Sequence, residues 1–159
     1  MKKIFMVEVC LISVASDMAE SGQFETVSNG TVSVATNDFG TSKYSITNIR
    51  YTVRVINSNL SFFSVGAISV SDCLGTVTVE NGKTNGSGTC IGNDAEGDKW
   101  RLNYVRSDSS TTSATGTAEL ISMTGKYANA KGTCNYDQKR LVLDSAIHVS
   151  TLLKCSVSK

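Results

Sequence analysis

Short segments in which apolar and polar residues alternate restrict the fold of this chain more than any other feature. The clearest alternation lies within residues 44–57, where one face is apolar and the other polar: Tyr51, Val53 and Val55 against Arg50, Thr52 and Arg54. Residues 99–106 repeat the pattern, with Trp100, Leu102 and Tyr104 on one face. A period of two over such lengths indicates a β-strand with one buried face.

Similar patterns predict that most of the chain is strand. Further strands are predicted at residues 24–36, 60–70, 74–80, 115–123, 132–136 and 147–155. Residues 24–36 fit either a strand or a hairpin, because Asn29-Gly30 is a hairpin signal. Residues 81–88 have the composition of a turn, and residues 137–144 are ambiguous, with one helical turn as an option. About eight or nine short strands with almost no helix predict a single all-β domain, either a barrel or a sandwich.

The first residues have the layout of a secretory signal peptide. Met1-Lys2-Lys3 is basic, residues 4–15 are mostly apolar apart from Glu8, and small residues follow. Ser13-Val14-Ala15 presents small residues at both positions that a signal peptidase reads, so cleavage is predicted near residues 15–19. A signal peptide over residues 1–19 and a mature domain over 20–159 are therefore expected, with an N-terminal strand of a cytosolic protein as the alternative.

Four cysteines remain after Cys10 leaves with the leader, and an even count in an exported domain predicts two disulfides. Of the three pairings, Cys73–Cys90 with Cys134–Cys155 is favoured because each pair brackets one predicted hairpin. Each bond should add roughly 3 kcal/mol by restricting the unfolded chain. A zinc site is the alternative, but no Cys-x2-Cys spacing is present.

Charge and the length of the apolar runs argue against two kinds of partner, nucleic acid and a membrane span. The net charge is +1 with 18% charged residues, and Lys and Arg form no cluster of the kind that nucleic-acid binding requires. No run of 18 or more apolar residues exists, so no membrane span is expected. The predicted signal peptide and the even number of remaining cysteines predict an extracytoplasmic protein, either periplasmic or secreted.

An acidic turn around Gly97 raises the question of a metal. Asp94, Glu96 and Asp98 alternate as in an EF-hand, but Lys99 stands where that motif needs glycine and Val105 where it needs the distal glutamate. A hairpin turn in which Asp and Gly provide the backbone angles explains the same residues. No metal and no cofactor is therefore predicted.

Catalytic motifs are sparse. His148 is the single histidine, it lies near no serine or cysteine motif, and Gly-x-Ser-x-Gly is absent. The sequence therefore assigns no catalytic residue and leaves enzymatic activity undecided.

Aromatic residues on two predicted strands are the best candidates for contact with a ligand. Trp100, Tyr104 and Tyr51 combine large apolar surface with a polar tip, as residues of small-ligand pockets do. Arg54 and Arg50 are on the opposite face of their strand from Tyr51, and they would bind an anionic group if that face were the lumen. The alternative is that the aromatics only fill the core, because a barrel of eight strands leaves little room inside.

One part of the chain resembles a known family. The motifs are Gly88-Thr89-Cys90, Asp94-Ala95-Glu96-Gly97-Asp98-Lys99 and Thr124-Gly125-Lys126-Tyr127-Ala128 with Gly132 after it. Over residues 60–136 they resemble the small exported bacterial proteins with an allene oxide cyclase barrel-like domain, which are related in shape to allene oxide cyclase and plant dirigent proteins. Met123 and Asn129 replace two glycines of that family's glycine-turn segment.

The resemblance implies an eight-stranded antiparallel barrel with an apolar lumen, and a homotrimer, since relatives with known chemistry are often trimers. The leading functional expectation is an exported barrel that binds a small lipophilic or amphipathic ligand in its lumen without catalysis. One alternative is an isomerase or cyclase of the allene oxide cyclase type, which requires polar groups such as Arg54 or Glu119 inside. The other is a structural or adhesive surface protein.

Overall fold

The computed structural model of the chain describes residues 19–81, 83–110, 112–144 and 146–159. Residues 1–18 of the predicted signal peptide, including Cys10, lie outside the described residues. Its last predicted residue, Ala19, is described.

Eight antiparallel strands form one closed barrel. They are β1 (Ser21–Asp38), β2 (Ser42–Ser58), β3 (Ile68–Glu80), β4 (Lys83–Asp94), β5 (Lys99–Ser109), β6 (Ser113–Ser122), β7 (Lys131–Leu143) and β8 (Ala146–Ser158). Each strand pairs with the next along the chain, and β8 pairs with β1 to close the cylinder. A short 3₁₀ helix, Gly125–Tyr127, is the helical element of the described residues. The structure confirms the antiparallel barrel of eight strands and excludes the sandwich.

The alternation of residue type determines which face of each strand points inward. Along β2, the side chains of Tyr51, Val53 and Val55 are buried, whereas those of Arg50 and Arg54 are exposed. Strand β5 follows the same rule, since Trp100 and Leu102 are buried inside the barrel. Because apolar burial stabilises the fold by about 25 cal/mol per Å², these residues fix the register of their strands.

One end of the barrel is plugged by the loop between β2 and β3, residues 59–67. Leu60, Phe62 and Phe63 from this loop are buried in the main core. The Phe63 ring stacks on Phe24 with centroids 3.9 Å apart, and lies 5.0 Å from the ring of Tyr127. We call this the plugged end; the turns β1–β2, β3–β4, β5–β6 and β7–β8 lie at the opposite end.

Two local predictions were wrong, and one segment that the sequence left ambiguous is assigned by the structure. Residues 60–67 were expected in a strand but form the plug, because their apolar side chains cover the end of the core and Gly66, at φ +87°, turns the chain before β3. Residues 83–88 belong to β4 and residues 137–143 to β7, where hydrogen bonding to neighbouring strands overrides the composition of a turn or helix.

Of the strand or hairpin expected over residues 24–36, the structure shows the strand, and the place of Gly30 within it reveals a pattern. Gly30 lies within β1 directly opposite Tyr51 of β2. Three further glycines face an inward aromatic residue on the adjacent strand: Gly88 opposite Tyr104, Gly92 opposite Trp100 and Gly116 opposite Tyr136. The missing Cβ of each glycine leaves space that the aromatic side chain uses.

Two disulfides link neighbouring strands inside the barrel, with the predicted pairing. Cys73 of β3 is bonded to its cross-strand partner Cys90 of β4, and Cys134 of β7 to its partner Cys155 of β8. Two such bonds suggest an oxidising, extracytoplasmic environment. Among the described residues, no helix has the length and apolar character needed to cross a membrane.

We expect removal of either disulfide to destabilise the barrel. Replacing both cysteines of one pair by alanine should lower the free energy of unfolding by roughly 3 kcal/mol, because the unfolded chain regains conformational freedom. The bonds span sequence separations of 17 and 21, so the two double variants should lose similar amounts. Urea unfolding would measure this, and an unchanged midpoint in both variants would contradict it.

A matched pair of glycines in β4 tests the role of the aromatic–glycine pairs. A Cβ at Gly92 would overlap the Trp100 ring, whereas the nearest atom to a Cβ at Gly86 is 3.2 Å away. Gly92→Ala should therefore cost about 1–3 kcal/mol of stability, as overpacked cores do, and Gly86→Ala should cost clearly less. Equal urea midpoints for the two variants would show that the contact with Trp100 does not limit this position.

Candidate functional site

A partly open cavity occupies the interior of the barrel between Trp100 and the end opposite the plug. Its volume is about 80 Å³. Six apolar side chains form much of its wall: Ile49, Val53, Trp100, Leu102, Ala118 and Leu153. The Cys73–Cys90 disulfide lies in the same wall. The cavity is therefore largely apolar and is held by a covalent cross-link between two of its strands.

Three of the four residues proposed as ligand contacts line this cavity. Tyr51, Trp100 and Tyr104 face it from β2 and β5. Arg54 is exposed on the outer face of β2, because its strand position has the opposite parity to Tyr51. Glu119, named for the cyclase alternative, is also exposed on the outside. We therefore remove Arg54 from the candidate site.

Sequence reasoning missed the other polar residues of the cavity. Arg106, Tyr136, Gln138 and Thr151 all line it, as do Ser28 and Ser71. Arg106 shares the parity of Trp100 and Tyr104 on β5, so continuing that alternation would have found it. Tyr136 lies in the strand predicted at residues 132–136 and has the parity of Cys134, so the same reasoning would have found it. Gln138 falls in residues 137–144, where the sequence pattern is ambiguous.

The polar side chains gather toward the end of the barrel opposite the plug, where several are joined by hydrogen bonds. Gln138 Nε2 donates to Tyr51 Oη at 2.8 Å, and Tyr51 Oη lies 3.2 Å from Thr151 Oγ1. Arg140 Nε donates to Gln138 Oε1 at 3.1 Å, and Arg140 Nη1 donates to the carbonyl of Ser110 at 2.9 Å. This network ties β2, β7 and β8 to the β5–β6 loop and fixes the orientation of Gln138.

The cavity tyrosines are neutral hydrogen-bonding groups at physiological pH. Burial raises the pKa of Tyr51, and its hydrogen bonds to Thr151 and Gln138 oppose this shift only in part. Burial also raises the pKa of Tyr104 and of Tyr136, although the Arg106 charge acts in the opposite direction at both. A phenol whose pKa exceeds its ordinary value of about 10 keeps its proton and can donate it to a ligand.

Trp100 separates this cavity from a smaller one. The second space, about 30 Å³, lies toward the plug between Trp100, Phe63 and Tyr127. Because Trp100 contacts both spaces and is the single tryptophan of the chain, its fluorescence can report on the occupancy of either cavity.

The acidic turn holds the plugged end together. The Asp94 side chain is only 4% exposed and accepts hydrogen bonds from Lys126 Nζ at 2.8 Å and from Tyr127 Oη at 3.0 Å. Its other oxygen accepts the backbone N–H groups of Glu96 and Asp98. The hairpin turn is confirmed, and its central carboxylate connects the β4–β5 turn to the 3₁₀ helix.

The charges of this cluster stabilise one another. Burial raises the pKa of Asp94, but the hydrogen bonds from Lys126 and Tyr127 outweigh it and bring that pKa below its usual range. Hydrogen bonds to Asp94 and to Glu96 raise the pKa of Lys126. Among the described residues, no group of three or more His, Cys, Asp or Glu side chains is arranged to hold a metal ion.

The polar groups that line the cavity are of few chemical kinds. Its described lining contains no histidine and no carboxylate, and its two cysteines are joined in a disulfide. His148 is exposed on the outside of β8. The remaining polar groups are phenols, an amide, hydroxyls and a guanidinium, which orient a ligand through hydrogen bonds.

Comparison with known proteins finds no match, whether among family models, curated proteins or solved structures. The resemblance to allene oxide cyclase barrel-like proteins therefore stays a prediction, as does the homotrimer that it implies. The barrel of eight antiparallel strands is the part of it that the structure confirms.

We expect Asp94 to contribute to stability only above acidic pH. Since its pKa is lower in the folded state, its contribution is present above about pH 4, the usual pKa of an unfolded aspartate, and disappears as pH falls through the folded pKa. Asp94→Asn should lower the free energy of unfolding at pH 7 by about 1–3 kcal/mol and reduce the loss of stability on acidification.

Urea unfolding of the wild type and the variant at neutral and acidic pH would measure both effects. Asp137→Asn is a suitable control, because its ion pair with Lys139 is on the surface and such pairs contribute little. Equal behaviour of the two variants would show that the Asp94 cluster does not stabilise the plugged end.

Proposed function

We propose that this protein is an exported β-barrel that binds a small apolar or amphipathic molecule in its lumen. The observation that carries the proposal is the cavity itself: an apolar wall beside Trp100 and Leu102 faces a group of hydrogen-bonding side chains toward the other end. Ligand pockets typically combine these two features, because apolar contact supplies affinity and a few polar groups supply orientation.

The size of the cavity limits the ligand. At about 80 Å³, it is several times smaller than the pockets of roughly 300–1,000 Å³ that hold drug-sized molecules. The proposed ligand is therefore a single small ring or a short chain. A long fatty acid or a sterol would require the barrel to expand.

Two observations favour binding over the cyclase alternative. Arg54 and Glu119, the residues considered for polar chemistry in the lumen, both point outward. The described cavity wall also lacks a carboxylate or imidazole that could move a proton. A structural role gains some support from apolar residues exposed on β3, such as Ile68 and Leu74, but that role does not explain the internal cavity.

The proposed location is the periplasm or the extracellular medium. The two disulfides support it, since such bonds persist in oxidising compartments and are rare in the cytosol. The signal peptide expected over residues 1–19 would deliver the chain there.

Fluorescence of Trp100 tests the proposal directly. We expect small apolar or amphipathic probes to change the intensity or wavelength of its emission. Suitable probes are toluene, short alcohols and indole analogues whose own emission does not overlap that of Trp100. Ala118→Leu should abolish the response, because Ala118 lines the cavity and the added carbons would occupy it. Ala35→Leu, at an exposed site on β1, is the matched control and should respond like the wild type.

Two results would contradict the proposal. The first is an unchanged Trp100 spectrum across the whole panel. The second is an equal response in Ala118→Leu and the wild type, which would place the probe outside the cavity.

A further inference from the structure

At the polar side of the cavity, two buried donors have no hydrogen-bond partner among the described residues. They are the hydroxyl of Tyr136 and Nε of Arg106. The Arg106 guanidinium approaches Tyr136 closely enough to oppose the rise in its pKa, both through its charge and through a side-chain contact, but neither the Tyr136 hydroxyl nor Arg106 Nε has a hydrogen-bond partner of good geometry among the described residues. A buried donor without an acceptor destabilises the fold, so a pair of them requires an explanation.

The neighbouring polar groups do not supply the missing acceptors. Gln138 Oε1 already accepts from Arg140, and Tyr51 and Thr151 are joined to each other and to Gln138. The β7 ladder places Tyr136 beside Gln138 on the same inward face, so its hydroxyl is held within the cavity wall.

The same region carries positive charge without a counter-charge. Within the described residues, no ion pair involves Arg106 or Arg140. Arg140 donates only to neutral acceptors, Gln138, Ser109 and Ser110. Burial lowers the pKa of Arg140, and the nearby charge of Arg106 lowers it further, which shows that the two guanidinium groups repel each other. Both remain charged at neutral pH.

Other unpaired donors in the described residues do not form such a site. Arg101 lies on the opposite face of β5 from the cavity, and Thr26 borders the smaller space of about 30 Å³, which has room for water. Arg106 and Tyr136 are therefore the unpaired donors that face the larger cavity.

We propose that Arg106 and Tyr136 bind the carboxylate of a small organic acid whose hydrocarbon part lies against Trp100 and Leu102. This inference rests on the proposed function and assigns the chemical class of its ligand. A carboxylate supplies both the acceptors that the two donors lack and the negative charge that the arginines lack.

The geometry explains why a neutral ligand would bind less well. A neutral ring would fill the apolar side but leave Arg106 Nε and the Tyr136 hydroxyl buried and unpaired. Hydrogen bonds from a guanidinium to a carboxylate are about twice as strong as those between neutral groups. The cavity should therefore discriminate between an acid and its uncharged isostere.

Titration calorimetry with three probes tests the assignment: benzoate, its neutral isostere benzamide, and toluene. Calorimetry is chosen because aromatic amides absorb near the excitation of Trp100. We expect benzoate to bind at least roughly tenfold more tightly than benzamide, as expected for one charge-assisted hydrogen bond.

Arg106→Met removes the charge and retains much of the side-chain volume. It should weaken benzoate binding roughly ten- to a hundredfold and change benzamide binding little. Arg54→Met is the matched control, because it alters net charge equally but lies outside the barrel. Tyr136→Phe removes only the hydroxyl and should weaken benzoate binding several-fold, so it tests the site even if Arg106→Met does not fold.

The outcomes separate this inference from the proposed function. The carboxylate assignment would be overturned if toluene and benzoate bound with equal affinity. It would also be overturned if benzoate affinity were unchanged in both Arg106→Met and Tyr136→Phe. Either result would leave a general apolar cavity. Failure of all three probes to bind would overturn both proposals. Equal losses in Arg54→Met and Arg106→Met would show that benzoate responds only to net charge, and would also overturn the assignment.

Discussion

The pairing of an inward aromatic side chain with a glycine on the neighbouring strand is the constraint on which the interior depends. A barrel of eight strands has a narrow lumen, and side chains from every strand compete for it. Tyr51, Trp100, Tyr104 and Tyr136 fit because each lies opposite a glycine, Gly30, Gly92, Gly88 or Gly116. The same pairs explain why glycines appear in strand interiors, where they would otherwise weaken the sheet.

This packing also divides the interior into two regions of different chemistry. Toward the plug, Phe24, Phe63 and Tyr127 close the core with stacked and tilted rings. Toward the other end, the tyrosine hydroxyls meet Gln138, Thr151 and the two arginines. Trp100 lies between these regions. The result is a cavity with an apolar floor and a polar, positively charged side, held by the Cys73–Cys90 disulfide, and this asymmetry is what suits it to an amphipathic ligand.

The sequence was informative where a local rule and the tertiary fold agree. Alternation along residues 44–57 and 99–106 correctly assigned the buried faces of β2 and β5, because a strand with one buried face must repeat every two residues. The hairpin spacing of the cysteines correctly predicted their pairing. The rules failed at residues 83–88 and in the plug, and they did not decide between strand and hairpin at Asn29-Gly30. Turn composition describes local preference, whereas ladder pairing and end-capping of the core are long-range effects.

By itself, the sequence determined the all-β class, the inward faces of the clearest strands, the disulfide pairs and three aromatic residues of the cavity, since all of these follow from spacing along one chain. Only the tertiary structure decided three other features. These are the closure of β8 onto β1, the plug formed by residues 59–67, and the proximity of Arg106 and Tyr136 in the cavity wall. Arg54 shows the physical reason. Its chemistry is that of Arg106, but the direction in which an arginine points depends on strand parity and on how the cylinder closes around it.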